Sequence, residues 1–159
     1  MDTLTLPGTE TMELSAAELA ALALSLAHLG AGPQAVTARR ALAHLVPAGT
    51  RARSLATLLD PLDADTARRA RLLAQAITER RVVRVLYADE RGKVSRREVE
   101  PVTTLVHGDH WYLVGWCRLR RGIRAFRLDR IMAVEPTDIQ ARPHRADGFL
   151  PFQGRRAAA

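Results

Sequence analysis

The feature that most constrains this chain is a change of residue pattern near residue 82. Before it, apolar residues recur at helical spacing, and after it come short segments rich in the β-branched and aromatic residues that strands favour. Five such segments follow one another up to residue 136, and tight turns separate most of them, at 89–92, 108–109 and 120–122. Strands this short, joined by such turns, predict a small, strongly bent antiparallel β-barrel of five strands.

Three helices are predicted ahead of the strands. Ser15 and Glu18 form a capping box at the start of the first, and Gly30 suits the position just beyond its end. The second helix extends from about Pro33 to the residue before Pro47. The third covers about 64–80 and has an apolar stripe made of Ala70, Leu73, Ala74 and Ile77. Residues 48–62 are ambiguous, and the predicted fold class is α+β.

Pattern divides the chain into four parts. They are a flexible lead at 1–13, a helical segment at 14–63, the barrel with its leading helix at 64–136 and an irregular tail at 137–159. Within the second predicted strand, Pro101 indicates either a sheet edge or a bulge.

No apolar run approaches the roughly 20 residues that cross a bilayer. The apolar segment Leu19–Leu29 is short and has acidic flanks, no basic region before it and no small-residue cleavage site. These features exclude a signal peptide. We therefore expect a cytoplasmic protein without a membrane partner.

The sequence offers little support for catalysis. Cys117 is the single cysteine, so no internal disulfide forms, and its apolar neighbours favour a buried small hydrophobe over a nucleophile. The stretch His107–His110 spans a hairpin turn and lacks a further ligand, which argues against a metal. Paired carboxylates, nucleophile–base motifs and glycine-rich phosphate loops are missing. We expect neither an enzyme nor a cofactor.

Positive charge is concentrated in the second part of the chain. Residues 1–64 contain four arginines and six acidic residues, a net charge of −2, whereas residues 65–159 contain 20 basic and 11 acidic residues, a net charge of +9. Codon bias in a GC-rich genome explains the preference for arginine over lysine, but not this uneven distribution. Because the arginine fork suits phosphate and carboxylate, we expect an anionic partner.

The segment HWYLVGWC, His110–Cys117, brings three aromatic residues into one predicted strand. Alternate residues of a strand share a face. One face carries Trp111, Leu113, Gly115 and Cys117. The other carries Tyr112, Val114, Trp116 and Arg118. We expect the face with Leu113 and Cys117 to lie inside the barrel, with Trp111 near its mouth, although both tryptophans equally suit core or dimer-interface packing.

This segment, with RAFRLDRI after it, resembles the WYL domain family of bacterial regulators, named for the tripeptide found here as Trp111-Tyr112-Leu113. Further matching positions are Ala76-Ile77, Tyr87, Arg97, Pro101, Cys117-Arg118, Arg124, Phe126, Arg127, Asp129, Arg130 and Ile131. The resemblance covers about residues 70–136. The helices at 13–46 are similar to the helical linker of such regulators.

The resemblance implies a five-stranded Sm-like or SH3-type barrel, a homodimer and an effector-sensing role in transcription regulation. Some members bind single-stranded nucleic acid, for which arginines hold phosphates and flat side chains stack on bases. The family's basic and aromatic pocket positions correspond here to Tyr87, Arg97, His110, Trp111, Tyr112, Arg118, Arg124, Arg127 and Arg130. Arg130 equally suits a structural ion pair with Asp129.

Two departures from the family pattern shape the functional prediction. We expect no winged helix-turn-helix before Ser15 and no C-terminal extension domain. The predicted function is a ligand-sensing module that binds single-stranded nucleic acid or a nucleotide-like anion. It would pass a conformational signal across a homodimer or to a regulatory partner, for which a helix-turn-helix regulator is a candidate. The alternative is a protein-interaction or dimerisation module that modulates full-length WYL regulators without a ligand, and the apolar helix at Leu19–Leu29 favours it.

Overall fold

A computed structural model describes residues 14, 16–27, 33–46 and 52–145. The helices are α1 Ala16–Ala27, α2 Pro33–Leu45, α3 Ala52–Leu59 and α4 Ala64–Glu79. The strands are β1 Arg81–Ala88, β2 Val94–His107, β3 His110–Cys117, β4 Gly122–Arg127 and β5 Ile131–Gln140, and a 3-10 turn, η1, occupies Leu128–Arg130. The predicted α+β order of helices and then strands is confirmed. The predicted flexible lead, 1–13, and residues 146–159 of the predicted tail lie outside the described residues.

Helix α4 leads into the sheet, and residues at its ends set its length. The side chain of Asp63 accepts a hydrogen bond from the backbone N–H of Thr66 at 2.9 Å, which caps the N-terminus. Arg80 adopts a left-handed conformation with φ of 52° and ends the helix. The predicted apolar stripe faces the core, where Ala70 and Leu73 are fully buried.

The five strands form one antiparallel sheet in the order β4-β3-β2-β1-β5. The prediction of a barrel was wrong, because the edge strands β4 and β5 do not pair and the sheet stays open. The chain leaves β4 through η1, and β5 then pairs with β1 instead. The sheet is nevertheless curved. Tyr87 of β1 and Phe126 of β4 meet edge to face with ring centroids 5.2 Å apart, whereas three strand spacings in a flat sheet would separate them by about 14 Å.

The core lies on the inner side of this curve. Strand residues such as Val83, Val85 and Leu113 pack there with Leu19 of α1 and Leu42 of α2 in one buried cluster. The helical segment therefore shares its core with the sheet. Leu113 and Cys117 are inside, as predicted. In the described part of the chain no helix is long and apolar enough to cross a membrane.

Strand β2 bends at a bulge where β3 comes very close. The register opposite β3 shifts between Pro101 and Thr103, so the predicted bulge is confirmed, while the edge alternative is wrong because β2 is an interior strand. Gly115 pairs with Pro101. A Cβ atom at Gly115 would lie 2.6 Å from Cγ1 of Val99 and 2.7 Å from the carbonyl oxygen of Glu100. The approach of the two strands therefore requires glycine.

A buried carboxylate on the outer side of β2 fixes the C-terminal end of the domain. Glu100 is fully buried and accepts hydrogen bonds from Nε of Arg118 and the backbone N–H of Arg142, both at 3.0 Å, and its Oε2 lies 2.6 Å from Nε2 of His144. Burial alone would raise the pKa of Glu100. The hydrogen bonds outweigh burial and lower the pKa from an ordinary 4.5 to about 2.

Strand β5 is longer than predicted. It continues to Gln140, although residues from 137 onward were predicted to be irregular. The hydroxyl of Thr137 donates to the carbonyl of Val82 at 2.6 Å, and the N–H of Ala141 donates to the carbonyl of Arg80 at 2.8 Å. Contacts with β1, rather than a periodic pattern of apolar residues, therefore hold this end of the strand.

Replacing Gly115 with alanine should destabilise the fold by roughly 1–3 kcal/mol, because the new methyl group has to push β2 away from β3. The matched control is Gly122→Ala, where the nearest atom to the new Cβ is 3.9 Å away and the change should stay within about 0.5 kcal/mol. Urea unfolding followed by circular dichroism measures both. Equal effects of the two substitutions would contradict the close approach.

Glu100 should stabilise the protein above pH 4.5 and lose this contribution as the pH falls towards its folded-state pKa of about 2. A shift of this size corresponds to about 3 kcal/mol. Glu100→Gln should cost about 3–5 kcal/mol near neutral pH, because its charged partners lose the negative charge and one of the two acceptor oxygens. It should also flatten the acid dependence of the unfolding free energy over this range. Denaturant titrations across the pH range measure both quantities.

The control for Glu100→Gln is Glu79→Gln at an exposed position of α4, where the carboxylate accepts only from Gln75 within the described structure. It should change the unfolding free energy by about 0.5 kcal/mol or less and leave the acid dependence intact. An unaltered acid dependence in Glu100→Gln would show that other carboxylates cause it.

Candidate ligand-binding site

The structure divides the nine predicted binding residues among three places. Five of them surround η1 and are called the η1 cluster: Tyr87, His110, Tyr112, Arg127 and Arg130. Arg97 lies beside this cluster. Trp111 is in the core, and Arg118 and Arg124 lie towards the other end of β3.

Asp129 organises the η1 cluster. Nε of Arg127 donates to its Oδ1 at 3.0 Å and Nη2 of Arg127 donates to Oδ2, while Nδ1 of His110 lies 3.9 Å from Oδ2. The hydrogen bond from Arg127 lowers the pKa of Asp129, and the same bond raises the pKa of Arg127. Both groups are therefore charged at neutral pH, and the guanidinium has a fixed orientation. Asp129 matched the family pattern in the sequence, but was not predicted to belong to the site.

Arg130 pairs with a different residue from the one proposed for it. Its Nη1 lies 3.6 Å from Oε1 of Glu90, in the turn between β1 and β2. Asp129 is instead paired with Arg127. The side chain of Glu90 is 85% exposed and that of Arg130 is 25% exposed, so this ion pair is partly open to solvent and weak.

Two aromatic rings meet at the start of β3. His110 and Tyr112 alternate with Trp111 and so share the outer side of the strand, with ring centroids 6.5 Å apart in an edge-on arrangement. Burial raises the pKa of the Tyr112 hydroxyl, which keeps it protonated at neutral pH. Tyr112 pairs across the strands with Arg127. Flat rings and a guanidinium are therefore adjacent.

Arg97 carries a buried donor that the protein itself does not satisfy. Its Nε donates to Oγ of Ser95 at 3.1 Å, but its Nη1 is buried and lacks a hydrogen-bond partner among the described residues. Such a donor costs about 1–3 kcal/mol, and more when the group is charged. Ser95 pairs with Tyr87, which makes Arg97 and Tyr87 diagonal neighbours about 7–8 Å apart. The unsatisfied donor thus lies beside the η1 cluster.

Trp111 belongs to the core rather than to an open mouth. Only 6% of the residue is exposed, and its Nε1 donates to the carbonyl of Thr57 in α3 at 3.2 Å. The indole therefore joins the motif strand to the helical segment. Of the roles that the sequence left open for Trp111, the core role is the one in this structure.

Arg118 and Arg124 are separate from the η1 cluster. Arg118 binds the buried Glu100 and lies 3.6 Å from Oε2 of Glu98 through Nη1. Arg124 is exposed and donates to the neighbouring carbonyl of Ile123 at 3.2 Å. The sequence pattern grouped these arginines with the others because it reports the face of a strand and not the distance along it.

Comparison with known proteins matches part of this chain to a domain family. The family model for the WYL domain matches residues 69–136. Protein PafC of Mycobacterium tuberculosis (strain CDC 1551 / Oshkosh) is 26% identical over 121 residues, which make up 76% of this chain and 38% of PafC. The HTH-type transcriptional regulator YobV of Bacillus subtilis (strain 168) is 32% identical over 59 residues, which make up 37% of this chain and 19% of YobV.

Among solved structures, proteasome accessory factor B/C (PafBC) of Arthrobacter aurescens aligns with a TM-score of 0.49 and 26% identity, over 82% of this chain and 22% of that chain. This chain spans well under half the length of the curated relatives that it matches. The range matched by the family model extends from α4 into β5 and contains all nine predicted binding residues. The chain therefore carries a WYL domain at residues 69–136.

Proposed function

We propose that this chain is the ligand-sensing module of a bacterial transcription regulator and that it binds single-stranded nucleic acid at the η1 cluster. The observation that carries the proposal is the buried Nη1 of Arg97, which lacks an acceptor beside a cluster of arginines and aromatic rings. A phosphate oxygen would supply the missing acceptor. The regulatory role rests on the WYL domain itself and on the similarity to YobV.

The arginines suit a phosphate backbone. Arg127 is held in place by Asp129, so little conformational entropy remains to be lost when a phosphate binds. Among the described residues Arg130 forms a salt bridge with the exposed Glu90, at 3.6 Å, and can exchange that partner for a phosphate. With Arg97 they provide three guanidinium groups, the side-chain group that forms charge-assisted hydrogen bonds with phosphate oxygens.

The aromatic residues suit unstacked bases. Tyr87, His110 and Tyr112 are each partly exposed rather than fully buried. Tyr87 is held edge to face by Phe126, and His110 meets Tyr112 in the same way. Rings held by such contacts offer their faces to a base, and stacking contributes about 1–3 kcal/mol per base without a sequence requirement.

Replacing Arg97 with methionine should separate binding from stability. The substitution keeps an unbranched stem but removes the unsatisfied donor, so the melting temperature should rise or stay unchanged while oligonucleotide affinity falls by roughly tenfold or more. Fluorescence anisotropy with labelled oligothymidylate and oligouridylate measures the affinity. For the wild type, contact with three phosphates predicts a slope of about −2 when log affinity is plotted against log salt.

The matched control is Arg71→Met, which removes the same charge from an exposed position on α4. It should change the affinity by about twofold or less, since it alters only the long-range field. Wild-type protein that binds neither oligonucleotide at about 20 mM salt would refute the proposal. So would equal losses of affinity in the two variants.

A protein-interaction module is the second candidate function, and exposed apolar side chains on the helices favour it. Leu22 of α1 is 43% exposed, and Val36 and Leu45 of α2 are 49% and 52% exposed.

If the helices form such an interface, the chain should be a dimer by light scattering. Leu22→Asp combined with Val36→Asp should make it a monomer, because exposed apolar surface of this kind marks contact sites. Met132→Asp, at an equally exposed position of β5, is the control and should remain dimeric. A wild type that is monomeric at every concentration would contradict this function.

A further inference from the structure

A cavity borders the far end of β3. Its volume is about 370 Å³, and it is lined by Trp116, Arg118, Arg121 and Arg142. The η1 cluster lies at the opposite end of the same strand, where His110 begins it. A strand of this length separates its two ends by about 23 Å. The cavity is therefore distinct from the site proposed above.

Glu100 orients two of the lining arginines. It accepts from Nε of Arg118 and from the backbone N–H of Arg142, both at 3.0 Å. The guanidinium of Arg142 lies only at the limit of a hydrogen bond, 3.5 Å from Oε1, and its side chain is 68% exposed. Arg118 is thus fixed, while the charged end of Arg142 is accessible. With Arg121, three guanidinium groups outnumber the two carboxylates that contact them, Glu98 and Glu100.

The aromatic side of the cavity, formed by Trp116, is also held in place by its neighbours. The indole of Trp116 stacks in parallel on the ring of His144, with centroids 5.0 Å apart and planes within 3°. His144 is held in turn by Glu100 at 2.6 Å. An aromatic surface held in this way loses little conformational freedom when a second flat group packs against it.

Arg121 adopts a backbone conformation that favours glycine. Its φ is 50°, in the left-handed region, where a residue with a Cβ costs about 1–2 kcal/mol. Within the described residues Arg121 forms no ion pair that would offset this cost. Arg121 lies in the turn between β3 and β4, and its side chain lines the cavity.

We propose that this cavity binds a nucleoside diphosphate, with its phosphates on Arg121 and Arg142 and its base against Trp116. Planar arginine forks match phosphate oxygens in pairs, and an indole provides a stacking surface for a purine. The volume is within the range of about 300–1,000 Å³ that small-molecule sites occupy. This inference goes beyond the proposed function and does not depend on it, because the two sites share none of their residues.

Isothermal titration of the whole chain with ADP and with inorganic pyrophosphate tests the proposal. ADP should bind more tightly than pyrophosphate by roughly fivefold or more, because only ADP carries a base to stack. Arg121→Gly should lower ADP affinity by roughly tenfold or more and raise the melting temperature, since it removes both the guanidinium and the strain. The control Arg120→Gly makes the same change at the adjacent loop position and should alter the affinity by about twofold or less.

Two further variants distinguish the sites. Trp116→Leu should remove the preference for ADP over pyrophosphate. Arg97→Met should leave ADP binding unchanged, whereas Arg121→Gly should leave oligonucleotide binding unchanged. The proposal is overturned if ADP does not bind at about millimolar concentration, if it binds no better than pyrophosphate, or if Arg120→Gly weakens it as much as Arg121→Gly.

Discussion

A carboxylate buried inside a domain must be surrounded by donors, because its transfer from water costs several kcal/mol. Glu100 meets this requirement with donors from two distant segments. Arg118 follows β3, and Arg142 and His144 follow β5. Loss of any one contact leaves a buried charge less well compensated, so the two segments depend on each other. This interaction makes the residues after β5 part of the domain and places Trp116 and Arg142 around one cavity.

The outer side of the sheet also carries a series of exposed ion pairs, which in order join Arg118, Glu98, Arg84, Glu135 and Arg96. Exposed pairs contribute only about 0–1 kcal/mol each. Their alternation matters more for register, because a slip of one residue would turn each charge towards the apolar inner side. These ion pairs also reduce the number of arginines that are free to bind a ligand. Of the 20 basic residues in 65–159, Arg84, Arg96 and Arg118 are held by carboxylates in this way.

Local sequence patterns were sufficient to predict those helices and strands that are determined by neighbouring residues. Caps and apolar spacing located α1, α2 and α4, and tight turns located the five strands. These patterns failed for α3, because its contact with the sheet is a hydrogen bond from the distant indole of Trp111. They also failed for η1, because its residues continue a strand pattern in the sequence. The partners of Glu100 lie 18, 42 and 44 residues away, beyond the reach of any periodicity. The spatial grouping of the candidate site residues was predicted only in part for the same reason. Turns bring strand ends together at η1, but the positions of Trp111 and Arg118 depend on which side the helices cover.

The alternation of β3 relates the η1 cluster to the helical segment. His110 and Tyr112 belong to the cluster, and Trp111 between them points to the opposite side and binds α3. Since a strand moves as a unit, a ligand that displaced β3 at the cluster would also displace the indole that holds α3, which in turn contacts α1 and α2. Such a ligand would change the affinity of these helices for a partner. By thermodynamic linkage, the partner would then change the affinity for the ligand by the same factor. The three residues of the motif thus differ in role: Trp111 holds the helices, Tyr112 faces the cluster, and Leu113 fills the core.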